Sequence, residues 1–355
     1  MKQPVLGLVS SAVVIAIALG FLSLFDLPLF NGWVAFIALC FIPMQIVVGI
    51  IWGANPPFAA RLRQPVKGLA LVGVTMLVAA IVTVIVARTI GESQTPPGPI
   101  PTHFAIIAVV FAFWLTIMMG GWPVTTAVRS PIPAGFAVLV GAYLVTYVVF
   151  RLVFNYDFLQ GTPVYLESAP RGLHMAILAL VFCVTHVAAM FVVLLFDLWP
   201  LTTAPGLMKQ PVLGLAWTAT TLVITAVVMS IGVQSMGTDP MIFLTRVTVP
   251  VIFGSILVLN MFQNSLLAAL RQPLKGVANL AVAISFGVGL SRVYGLLGPT
   301  LVGGPLVSGP PAYDYEIWLA NALLGITFPL LVFHAVFFEF WPLHGRGGPS
   351  GPPTP

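Results

Sequence analysis

Four arginines, Arg88, Arg151, Arg246 and Arg292, stand at or near the ends of long apolar stretches. A guanidinium offers a fork of N–H donors that matches an oxyanion. Brought together, the four would form a vestibule for an anionic solute or a lipid phosphate. Held apart, each would carry its charge to headgroup level on an apolar stem. Pro43 and Pro250 lie 207 residues apart, the same offset that separates Lys2 from Lys209. Paired interruptions in corresponding helices mark midplane solute sites in transporters. Gln45 is a polar neighbour of the first. The alternative for the prolines is a plain kink with interhelix hydrogen bonds. These seven residues are the candidate solute-binding or hinge set.

Four histidines, His103, His174, His186 and His334, fall in or beside apolar stretches. Imidazole pairs in membrane helices can hold haem b. His174 and His186 are read as sharing the sixth stretch, twelve residues apart. A straight helix would set them about 120° apart, and His186 and His334 would differ in depth by about 9 Å. That is a poor arrangement for ligand pairs. No cofactor is therefore assigned, haem b is the weaker alternative, and histidines bonded between helices are the commoner outcome. Cys40 and Cys183 lie inside apolar stretches and read as packed thiols. Cysteine and histidine spacing offers no zinc site. No Walker loop, HExxH, G-x-S-x-G or pair of deep carboxylates occurs, so the chain reads as no enzyme.

The elements that would position these residues follow from composition. Of 355 residues 59% are hydrophobic and 6% charged. Soluble domains carry about 25% charged residues, so most of this exterior must face hydrocarbon. Apolar runs of spanning length fall at roughly 5–25, 32–53, 68–88, 103–121, 134–155, 173–198, 211–232, 241–262, 276–298 and 317–341. The expected fold is an all-α integral membrane protein of about ten transmembrane helices, arranged as five parallel-repeat helical hairpins. All four lysines, with Arg61, Arg63, Arg129 and Arg271, fall on one side of the stack. By the positive-inside rule that side is cytoplasmic, as are both termini of this cell-membrane chain. The net charge of +5 is scattered singly, which excludes a nucleic-acid surface.

An internal repeat organises the runs. Lys2-Gln3-Pro4-Val5-Leu6-Gly7 recurs as Lys209-Gln210-Pro211-Val212-Leu213-Gly214, and Arg63-Gln64-Pro65-Val66-Lys67-Gly68 as Arg271-Gln272-Pro273-Leu274-Lys275-Gly276. Arg129-Ser130-Pro131 is a weaker copy. Trp122-Pro123, Trp199-Pro200 and Trp341-Pro342 close even-numbered runs. The domains read as a four-helix half (1–128), a central hairpin (129–207), a second half repeating the first (208–344) and a disordered cytoplasmic tail (345–355). Asp197, Glu339, Lys67, Lys209 and Lys275 are candidates for interfacial ion pairs or anionic-lipid contacts. The function so read is a permease or channel-like carrier for a small, anionic or other, solute. The alternative is a non-catalytic anchor subunit of a larger complex, with haem. Membrane lipid, partner subunits or further copies of the chain are the expected partners.

Overall fold

The computed structural model describes residues 1–343, so the expected tail at 345–355 lies outside the described residues. Ten helices among them are long and apolar enough to cross a membrane. They are α1 (Val5–Leu22), α2 (Leu27–Ile50), α3 (Val66–Thr89), α4 (Pro99–Met118), α5 (Pro131–Val153), α6 (Ala176–Leu195), α7 (Val212–Ser235), α8 (Pro240–Met261), α9 (Leu274–Leu301) and α10 (Asp314–Phe337). The one sheet described is a two-residue parallel pairing of β1 (Phe154–Asn155) with β2 (His174–Met175). The sequence placed the start of the second helix too late. Asp26 begins it, its carboxylate accepting from Leu29 N at 2.9 Å, because a short acceptor there satisfies a free N–H of the first turn.

The even-numbered helices close a ring: α2 packs on α4, α4 on α6, α6 on α8, α8 on α10 and α10 on α2. Each odd-numbered helix lies outside, against two neighbours of that ring. α3 sits on α2 and α10, α5 on α4 and α2, α7 on α6 and α4, α9 on α8 and α6, and α1 on α10 and α8. Burial follows the two layers. In the most apolar window of each helix, 56–72% of residues are buried in the even set and 22–39% in the odd set. Each odd helix after α1 therefore packs on the even helix before it and on the ring neighbour beyond that one.

The repeated sequence explains the outer layer. In four copies the glutamine before the proline folds back over the helix start. Its Oε1 accepts from the glycine N–H four residues on, at 3.2 Å for Gln3 and Gln64, 3.1 Å for Gln210 and 3.0 Å for Gln272. Proline at the helix start has no N–H to lose. The glutamine Nε2 then reaches the end of an even helix. Gln3 donates to Met261 O at 2.9 Å, Gln64 to Phe337 O at 2.8 Å and Gln210 to Met118 O at 2.8 Å. Gln272 instead donates to Asp197 Oδ2 at 2.8 Å. Starts of odd helices and ends of even helices thus share one face, here the motif face.

The glycine of each copy admits a bulky side chain. Phe262 packs on Gly7, Phe338 on Gly68, Met119 on Gly214 and Phe196 on Gly276. Trp52 fills the same role on Gly135 of α5, where Ser130 stands in place of the glutamine. Each of these five residues directly precedes two consecutive left-handed residues that end an even helix: Gly53-Ala54, Gly120-Gly121, Asp197-Leu198, Gln263-Asn264 and Glu339-Phe340. The N–H after each pair returns to the carbonyl before it, 2.9–3.1 Å away (Asn55 to Trp52, Trp122 to Met119, Trp199 to Phe196, Ser265 to Phe262, Trp341 to Phe338). One closing turn thus serves five dissimilar sequences. It satisfies carbonyls that a helix end otherwise leaves free.

Candidate functional site

Two cavities lie on the axis of the even-numbered ring, and each receives side chains from all five of its helices. The first, about 90 Å³, meets Leu39, Val109, Val184, Ile252 and Leu324, with Asn321 its one polar side chain. The second, about 330 Å³ and nearer the motif face, meets Ile50, Ile117, Leu194, Asn260 and Val336, together with Gln45. No charged residue lines either.

Phe113 and Phe328 line both cavities and so stand between them. Their ring centroids are 6.2 Å apart, and Phe191 packs edge-on to Phe113 at 5.5 Å. Three aromatic rings from α4, α6 and α10 form this constriction. Aromatic pairs at such distances contribute about 0.5–1.5 kcal/mol each beyond area burial. Gln45 supports the constriction from α2, its Nε2 donating to Pro329 O at 2.8 Å, next to Phe328. α10 is wound as π-helix over Asn321–Thr327, directly before Phe328.

The sequence-derived candidates divide. Gln45 is buried and at the site. Pro43 is buried in α2, but the closing turns give it a different counterpart. It stands ten residues before Gly53, as Pro329 stands ten before Glu339, while Pro250 stands thirteen before Gln263. Pro250 faces α9, its carbonyl against Gly287. Arg88, Arg151, Arg246 and Arg292 are all exposed, and none lines either cavity. Arg151 donates to Ser168 O at 2.7 Å and ties down the 154–175 segment.

The histidines are scattered. His174 lies in β2, outside α6, so the helical spacing assumed for it and His186 does not hold. His103 Nδ1 lies 3.0 Å from Tyr156 Oη. His186 Nδ1 and His334 Nε2 have no partner. No hydrogen bond or ring contact joins two of the four, and no cluster of three metal-binding side chains occurs among the described residues.

At the motif face Lys67 meets Glu339 and Lys275 meets Asp197, each at 2.7 Å. Lys209 makes no ion pair among the described residues. At the opposite face Asp239 caps α8 and accepts from Tyr313 Oη at 2.7 Å. Burial and the neighbouring Asp239 carboxylate push the Tyr313 phenol up to about 12. Glu316 is fully buried and has no cation partner among the described residues. Its carboxylate accepts from Ser308 Oγ at 2.5 Å and Gly309 N at 3.1 Å, fixing the 302–313 segment over α10. No protein-family model matches the chain, and no curated protein or solved structure is significantly similar to it.

Proposed function

We propose that this chain is a multi-pass protein of the cell membrane that conducts a small solute along the axis of its even-numbered helices. The observation that carries the reading is the pair of coaxial cavities, each lined by all five helices and meeting at Phe113 and Phe328. The conformation described is the closed one, because the rings fill the axis between the cavities. In this reading the motif face, with its unpaired Lys2 and Lys209, is cytoplasmic and holds both termini.

The five hairpins are then equivalent parallel units around an axis along the membrane normal. The recurring closing turn and the recurring glycine seat support this. The divisions 1–128, 129–207 and 208–344 mark which units have kept most sequence likeness.

The lining favours a weakly hydrated solute, with an anion preferred to a cation. No acid lines the path, and its polar side chains are the carboxamides of Asn321, Gln45 and Asn260. All five even helices also start at the same mouth, where their dipoles attract negative charge. Asp26, Asp239 and, in the first turn of α10, Asp314 and Glu316 offset this at three of them. The exposed arginines then act at the outer approaches, and Pro43 and Pro329 as hinges.

The test is flux in liposomes holding this chain alone, with chloride, nitrate, potassium and urea as solutes. Phe113→Ala and Phe328→Ala should raise anion flux severalfold, and the double variant more. A double variant that elutes as a folded monodisperse species yet is silent for all four solutes overturns the conduit. The anchor-subunit reading would then take its place.

A further inference from the structure

A third space, a groove of about 670 Å³, lies outside the ring between α1, α2, α3 and α10. It is as large as the sites that hold small ligands. Its walls are apolar, running from Leu69 and Phe338 near the motif face past Phe41 and Phe333 to Gly325. One titratable group faces it, His334, whose Nε2 has no partner.

Cations precede the two outer helices, α1 and α3, that wall the groove. Lys67 and Glu339, which adjoin Leu69 and Phe338, bind each other. Lys2 and Arg63, before α1 and α3, are exposed and form no ion pair among the described residues. Both are held against the ring by their neighbours, Gln3 on Met261 and Gln64 on Phe337. Gly325 lines both this groove and the first axial cavity, and a Cβ there would meet nothing within 4 Å.

We propose that this groove seats one acyl chain of an anionic phospholipid of the inner leaflet, with its phosphate on Lys2 and Arg63. Apolar walls suit the chain, and two unpaired cations at headgroup level suit the phosphate. The chain would lie against the π-wound turn of α10 that precedes Phe328, so occupancy bears on the constriction. The proposal rests on the membrane reading alone, since binding is measured without flux.

The experiment is native mass spectrometry of purified protein titrated with phosphatidylglycerol and phosphatidylcholine of equal chain length. Wild type should retain one phosphatidylglycerol in preference to phosphatidylcholine. Lys2→Ala with Arg63→Ala should retain both lipids equally. Ala38→Trp, which fills the groove from α2, should retain neither. Met76→Trp at an exposed position of α3 gives the same reading should the first fail to fold. Equal retention of the two lipids by wild type, or undiminished retention by the folded tryptophan variant, overturns the proposal. Monodispersity in buffer without detergent would overturn the membrane reading instead.

Discussion

Gly287 and Gly289 lie two residues apart on α9, and the structure gives them opposite fates. Gly287 is buried against α8, and a Cβ there would run into the Pro250 carbonyl. Gly254 of α8 meets the Ala283 carbonyl in the same seam. Backbone opposes backbone at both points, so no rotamer change relieves the clash. The helices must part, losing dispersion contacts along their length. Overpacking of this kind costs about 1–3 kcal/mol, offset by about 1 kcal/mol of helix propensity gained on replacing glycine. For Gly287→Ala the upper end applies, leaving a net loss of about 2 kcal/mol. Gly289 is exposed, with nothing within 4 Å of the added carbon. Gly289→Ala should therefore keep the propensity gain, up to about 1 kcal/mol. Unfolding of the purified variants in mixed micelles, followed by tryptophan fluorescence, measures both. Equal effects from the two substitutions would refute the seam as described.

Gln210→Leu leaves the Met118 carbonyl and the Gly214 N–H without their partner. It should cost about 1–3 kcal/mol, while Ser130→Ala, at a position with no such bond, should cost almost nothing in the same melts. Asp197 and Lys275 should couple by less than about 1 kcal/mol in a double-mutant cycle, falling further with salt. Asp197→Ala alone should cost more than Lys275→Ala, because Asp197 also accepts from Asn264 and Gln272. Glu316→Leu leaves the Ser308 hydroxyl and the Gly309 N–H without their acceptor. Protease cleavage in the 302–313 segment should rise accordingly.

The helices were legible because hydrocarbon admits few backbone arrangements, and ten apolar runs state their own number. The repeat was legible where lysine, glutamine and proline recur. Its workings were not. The lysine and the proline stand out in the sequence, whereas the glutamine and the glycine make the contacts common to the four full copies. The closing turn was hidden because left-handed backbone is met there by Gly, Ala, Asp, Leu, Gln, Asn, Glu and Phe alike. Without that marker the 207-residue offset pairs Pro43 with Pro250, and nothing in the sequence marks Pro329. The axial lining was invisible for another reason. Phe113, Phe191 and Phe328 are ordinary apolar residues in apolar runs, and only the ring brings them together.

The measurement that bears most directly on the ring and its axis is thiol accessibility. Cys40 and Cys183 are first replaced by serine. Single cysteines are then placed at Ile50, Ile117, Leu194, Asn260 and Val336, one on each even helix and all on the second cavity. Leu77, Val148 and Val223, exposed on odd helices, serve as controls. A membrane-impermeant thiol reagent applied at the motif face should label all five ring positions and none of the controls. Labelling confined to one or two of the five, in variants that remain folded, would contradict a water-accessible axis shared by the even helices.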